Sequence, residues 1–301
     1  MRRKRITRPI KRELENKFVL PLKELSPHLG GDIEDIDVRE IGTTIPLEVV
    51  KDALFRHQLL CFRDQRLEPE DLSNFTKLFG EPLPHVLQQF SLPGRPEIYV
   101  LSNIVENGEP IGNTREGFGW HTDLAYMAQP AAYTILYGIE VPEVAGDTLF
   151  ASLYCMWDSM EEAMKSRLRK LQGRYSYNHL YSQRSNVDPL TAEQKVRTPD
   201  VYHPFARLHP ETGREGLYIG GDDFIAVDGS DDPKQDYAEI WRLFEETTNR
   251  FSYHHHWRVR DLLIWDNRGL IHTATDYDTE SERRLVWRTS VVGEAPIFSK
   301  E

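Results

Sequence analysis

A chain of 301 residues, 39% hydrophobic and 28% charged, has the composition of a soluble globular protein with a sizeable core. Its net charge of −11 excludes the basic footprint that general nucleic-acid binding needs, and no apolar run approaches the roughly 18–20 residues that cross a bilayer. Cys61 and Cys155, the only cysteines, both stand in apolar company, which excludes a disulfide scaffold or a Cys-rich zinc site and reads as buried free thiols in a cytoplasmic protein.

The chain opens on a basic segment, Arg2 to Arg12, that nothing later extends into a patch. Residues 1–13 therefore read as a solvated, disordered tail and residues 14–301 as one domain. No continuous apolar stretch follows Met1–Arg5, so no secretory leader is expected. A helix is expected over 46–57, with Pro46 in its first turn and Leu47, Val50 and Leu54 on one face. The apolar run 59–62 reads as a short buried strand. A second helix fits 69–79, with Leu72, Phe75 and Phe79 on one side and Gly80 as its stop.

Residues 98–101 and the period-two pattern of Tyr133, Ile135, Tyr137 and Ile139 read as strands. A third helix is expected over 156–171 from Met160, Met164, Leu168 and Leu171. A fourth starts after Asp232, with Pro233 in its first turn, Gln235 in capping-box position, and Tyr237, Ile240, Trp241 and Phe244 as its stripe. A long alternating strand is expected over 251–259, and shorter ones over 262–265 and 285–292. Many short strands with a few inserted helices point to a mainly β fold closed as a double-stranded β-helix, the jelly roll of cupin-like proteins.

Chemistry concentrates in three places. His121 and Asp123 are spaced by two, which on a strand sends both side chains to one side, where one metal ion can accept both. Alone, the pair reads equally as a hydrogen-bonded core histidine beside an acid. His272 follows the polar tract Trp265-Asp266-Asn267-Arg268 and offers a third donor. Two imidazoles and one carboxylate on one face of iron(II) leave open positions for cosubstrate and oxygen. Arg284 and Arg288, spaced by four on a late strand, face one way together with Val286. A guanidinium turned into a barrel needs an anion, either an internal carboxylate or a bound organic acid.

In these blocks the chain resembles the iron(II)- and 2-oxoglutarate-dependent dioxygenases typified by taurine dioxygenase and 2,4-dichlorophenoxyacetate dioxygenase (the TauD/TfdA family). The resemblance runs from about Val19 to Phe298. It is carried by Arg56-His57-Gln58, Phe62-Arg63-Asp64-Gln65, Phe79-Gly80-Glu81, Trp120-His121-Thr122-Asp123 and Gly146-Asp147-Thr148-Leu149-Phe150. It continues through His209-Pro210-Glu211-Thr212-Gly213, Trp265-Asp266-Asn267-Arg268 with His272, and Arg283-Arg284 with Arg288. It implies iron(II) held by His121, Asp123 and His272, and 2-oxoglutarate held by Thr148 and Arg284. Arg288 would lie where cosubstrate and substrate meet, and His85 would touch the substrate's anionic group. With dioxygen as second cosubstrate, the implied reaction oxidises, by hydroxylation, a small anionic organic molecule and releases succinate and carbon dioxide.

Some positions depart from that pattern. The late strand stands one residue further from His272, which places an insertion near 278–282 and opens the choice among Arg283, Arg284 and Arg288; strand facing favours Arg284 with Arg288. Gly117, Phe118 and Gly119 stand where a polar substrate contact is expected, so taurine is not the expected substrate. Phe118 and Tyr126 are expected to line the pocket beside Arg288 and His85. His254-His255-His256 alternate in direction, so the three do not converge on one ion. Gly220-Gly221-Asp222-Asp223 reads as a loop. Competing readings are a zinc-dependent hydrolase on the same three donors and a noncatalytic small-molecule binding protein. No nucleic acid or membrane partner is expected, and a homo-oligomer, dimer or tetramer, is left open.

Overall fold

The structure is a computed structural model that describes residues 18–114, 116–183 and 190–299. The expected basic tail lies outside the described residues. The chain folds as a mainly β jelly roll with inserted helices. Its large sheet has eight strands in the order Leu22–Glu24, Gly31–Ile33, Leu59–Phe62, Leu262–Asp266, Tyr133–Glu140, Leu285–Val291, Arg95–Ser102 and Ser91–Leu92. A smaller sheet pairs Thr148–Ser152 with Ser252–His255 on one side and Leu270–Ala274 on the other, both antiparallel.

Alternation divides the apolar residues between the two faces of the large sheet. Leu60, Phe62, Ile135, Tyr137, Leu262 and Ile264 turn outward onto helices Leu47–His57 and Pro69–Phe79, packing against Val50, Leu54, Leu72 and Phe75. Leu59, Cys61, Leu136, Leu263, Trp265 and Val286 turn inward and meet Phe150 and Leu270 of the smaller sheet. A third core is built by residues 153–251, which leave the barrel after Ser152 and return at Ser252. There Met156, Trp157, Tyr175, Phe205, Tyr218 and Phe224 pack under helix Pro233–Thr248. Among the described residues no helix is long and apolar enough to cross a membrane.

Helix Pro69–Phe79 and strand Leu59–Phe62 have the expected bounds. Pro46 caps the first helix from outside, with extended backbone, rather than sitting in its first turn. The helix expected over 156–171 is two helices, Leu153–Asp158 and Glu162–Leu168. Ser159 ends the first by donating its hydroxyl to the Met156 carbonyl, 2.8 Å away. The expected apolar stripe still reaches one core, which is why its period misled. The strand expected over 251–259 stops at His255, because Asp261 accepts the Arg258 N–H at 2.9 Å and folds the chain into a turn. Cys61 is buried and Cys155 only half-buried; both are free.

Candidate active site

His121, Asp123 and His272 converge: one ligand atom from each lies within 4.8 Å of the others. His121 Nε2 stands 3.8 Å from Asp123 Oδ1, and His272 Nε2 3.7 Å from Asp123 Oδ2. The local reason differs from the expected strand. Only His121 is in β geometry, bridging His272 on one side and Gly221 on the other, while Asp123 already turns away. The His121 N–H donates to the His272 carbonyl at 2.9 Å, and the His121 carbonyl accepts the His272 N–H at 3.0 Å. His272 itself lies on the strand Leu270–Ala274.

The protonation states suit a cation. His121 Nδ1 is 2.8 Å from the Gly119 carbonyl, which can only accept, so the proton sits on Nδ1 and Nε2 is bare. Burial pushes His272 down to about 3 and keeps it neutral. Burial alone would raise Asp123, but electrostatic coupling to His272 and to the Arg288 guanidinium outweighs it and holds the carboxyl at about 2. A hydrogen-bond chain fixes that carboxylate: Trp265 Nε1 donates to Asn267 Oδ1, Asn267 Nδ2 to Thr134 Oγ1, and Thr134 Oγ1 to Asp123 Oδ2 at 2.6 Å. Two residues of the Trp265–Arg268 tract thus serve Asp123.

Arg284 precedes the strand Leu285–Val291 and points inward with Val286 and Arg288. Its guanidinium is buried, its Nε has no partner, and burial pushes its pKa down. No carboxylate of the described residues lies within ion-pair distance of it. Arg283 turns out to Glu140 at 2.8 Å, which removes it from the choice among the three arginines. Thr148 lies in the same small cavity as Arg284, Arg288, His121 and His272, and its hydroxyl accepts Trp257 Nε1 at 3.1 Å. Such a cradle matches a carboxylate that the protein does not itself supply.

Beside it opens a cavity of about 550 Å³, lined among others by His85, Phe118, Tyr126, Tyr177, Trp241 and Arg288. Arg288 Nη1 is 3.7 Å from Asp123 Oδ1, and its guanidinium lies over the Tyr99 ring at 5.0 Å. His85 packs on the same ring, with centroids 4.0 Å apart. Its Nδ1 accepts the Leu87 N–H at 3.2 Å.

Residues 21–290 match the family described as taurine catabolism dioxygenase TauD, TfdA family. The chain belongs to that family. This TauD/TfdA-family protein is an oxidoreductase of the dioxygenase class. It is 31% identical to the (S)-phenoxypropionate/alpha-ketoglutarate-dioxygenase of Sphingobium herbicidovorans over 80% of this chain and 84% of that one. It is 28% identical to the alpha-ketoglutarate-dependent 2,4-dichlorophenoxyacetate dioxygenase of Cupriavidus pinatubonensis, over 87% and 94%. A crystal structure of a taurine dioxygenase from Burkholderia xenovorans superposes with a TM-score of 0.76 at 27% identity, covering 93% of this chain and 91% of that one.

Sequence reasoning missed part of this TauD/TfdA-family cavity. Tyr177, His179 and Leu180 come from the short helix Tyr177–Ser182, which carries no long apolar period. Tyr237 and Trp241 read as core stripe, because periodicity cannot distinguish a core from a pocket wall. Asp222 and Asp223 also line it; burial pushes Asp223 up to about 7. The His209 block serves structure. His209 Nε2 donates to Asp266 Oδ2 at 2.8 Å, and its Nδ1 accepts from the Glu211 and Thr212 N–H groups in the expected turn.

Proposed function

We propose that the protein is an iron(II)- and 2-oxoglutarate-dependent dioxygenase that hydroxylates a small organic acid. The observation that carries this reading is a convergent His/Asp/His set whose two histidines share a cavity with the enclosed Arg284 guanidinium, which has no carboxylate of the described residues within ion-pair distance. His121, Asp123 and His272 would hold iron(II), two neutral imidazoles and one ionised carboxylate being the donor set such a centre takes. With iron(II) bound there, the chemistry supplied would be oxidation by dioxygen, 2-oxoglutarate giving two of the four electrons as it is decarboxylated to succinate and the substrate giving the other two, so that one oxygen atom ends in succinate and one in the product.

The chain's own residues supply position and exclusion. Arg284 and Thr148 neutralise and orient the far carboxylate of 2-oxoglutarate. Arg288 and His85 line the large cavity and would direct the substrate's anionic end, while Phe118, Tyr126 and Trp241 exclude water from the rest. The named relatives' phenoxypropionate and dichlorophenoxyacetate are carboxylates, which supports an acid substrate. Two free thiols fit a cytoplasmic setting. A zinc hydrolase would have no use for the unpaired Arg284.

Oxygen uptake and succinate formation that both require 2-oxoglutarate test the proposal, across a panel of aryloxy, alkyl and sulfonated acids with neutral analogues. Asp123→Ala is expected to abolish succinate formation; full turnover in that variant refutes the ligand assignment. Anaerobic iron(II) with 2-oxoglutarate is expected to give a weak visible charge-transfer band that a zinc enzyme lacks.

A further inference from the structure

The three consecutive histidines divide as alternation demands, yet two of them meet a partner the sequence did not indicate. His255 points inward, fully buried, with Nε2 3.2 Å from Asp261 Oδ2. His254 and His256 point out from the smaller sheet, their rings 4.5 Å apart and tilted by 33°. Asp147 comes to both. Its Oδ2 lies 2.9 Å from His254 Nε2 and 2.9 Å from His256 Nδ1.

Strand pairing explains the meeting. His255 stands opposite Thr148 and His254 opposite Leu149, so the outward face at this end of the sheet carries Asp147, His254 and His256 together. The Asp147 peptide is fixed from the other neighbouring segment. Its N–H donates to Thr275 Oγ1 and its carbonyl accepts the Thr275 N–H, each at 2.9 Å. The carboxylate is largely shielded, with 11% of its side chain exposed, whereas the two imidazoles are open to solvent. One donor atom from each of the three residues lies within 4.8 Å of the others.

We propose that Asp147, His254 and His256 form a second, external metal site for a borderline divalent cation of the zinc class. Two imidazole nitrogens and a carboxylate oxygen are the donors this class takes, and the solvent side leaves a fourth position for water. The other cluster outside the candidate active site, Cys61 with His255 and Asp261, is unsuited. It is fully enclosed, and Arg63 Nη1 already sits 2.7 Å from Asp261 Oδ2, so an added cation meets a resident positive charge. The external site also clamps two segments that matter. Thr148 follows Asp147 and Trp257 follows His256, and these two residues are hydrogen-bonded to each other inside the barrel.

The test is equilibrium dialysis of the tag-free, metal-free full chain against Zn²⁺, with thermal melts alongside. Wild type is expected to take up two equivalents. His254→Ala/His256→Ala is expected to lose one, keep its metal-free melting temperature, and lose the extra stabilisation that the second equivalent gives. His121→Ala/His272→Ala is expected to retain the equivalent held by Asp147, so failure of the active-site ligand assignment is read separately. Asp147→Asn should weaken the external equivalent without removing the other. Zinc uptake by His254→Ala/His256→Ala equal to wild type overturns the proposal, as does a wild type that binds no equivalent sensitive to these two histidines.

Discussion

Arg284 carries a positive charge with 8% of its surface exposed and, among the described residues, no carboxylate within ion-pair distance. Burying an unpaired ion opposes folding, so this residue is kept at a cost to stability that a bound dianion offsets. Arg284→Leu is therefore expected to act in two directions. Without cosubstrate the variant should melt higher than wild type, since an apolar side chain replaces an unpaired cation. Its apparent affinity for 2-oxoglutarate should fall by roughly 100-fold, the scale of losing one buried, hydrogen-bonded charge pair. Melting curves and 2-oxoglutarate saturation curves read the two effects, and a lower melting temperature with unchanged saturation would contradict the assignment. The neighbouring Arg283, paired with Glu140 at the surface, serves as the control that should change neither.

At the scale of elements, the segment holding His121 depends on how closely another backbone can approach. Gly221 has φ +106°, and a Cβ there would meet the Trp120 carbonyl oxygen and the His121 Cα at 2.8 Å. Gly221→Ala should displace the His121 segment from its place between Gly221 and the strand Leu270–Ala274, with strain on the order of 1–3 kcal/mol. Metal affinity should drop while the far-ultraviolet circular dichroism stays unchanged, and retained affinity would show that the bridge is not what positions His121. The sequence suggested a loop at Gly220-Gly221 but not this approach, because a glycine pair carries no mark of what passes beside it. Helix Pro69–Phe79 and strand Leu262–Asp266 were legible because their caps or uniform apolarity agree with their burial. Residues 251–259 were misread because outward and inward residues keep alternating after the hydrogen bonds stop, so burial period alone could not locate the Arg258–Asp261 turn. Thr148, Arg284 and Arg288 were legible as types in a pattern. The walls from Tyr177–Ser182 were not, since a short helix lining a cavity has no periodic face.

Across the whole molecule, Asp266 ties the excursion 153–251 to the large sheet and its outer helix. It accepts Arg268 Nε at 2.7 Å and His209 Nε2 at 2.8 Å. Next to His209, Glu211 accepts the Tyr133 hydroxyl at 2.9 Å and pairs with Lys51 of the outer helix Leu47–His57. Burial would raise the Asp266 carboxyl, but Arg268 and His209 outweigh it and hold its pKa below the usual range. The native state therefore binds this proton less readily than the unfolded chain. The stabilisation is complete above about pH 4 and is lost as pH falls through the depressed native value. Asp266→Asn is expected to lose about 3 kcal/mol near neutrality and to show a flatter stability profile on the acid side; denaturant melts from pH 3 to 7 check both. The inserted residues 153–251 have a core of their own, yet they supply Tyr177, His179, Tyr237 and Trp241 to the large cavity, whereas His121, Asp123, His272, Thr148 and both inward arginines lie outside that insertion. Under the proposed function, Tyr177, His179, Tyr237 and Trp241 are thus written in a different stretch of the gene from the residues proposed to hold metal, cosubstrate and the substrate's charged end: drift in the excursion can reshape one wall of the pocket while that machinery is inherited intact.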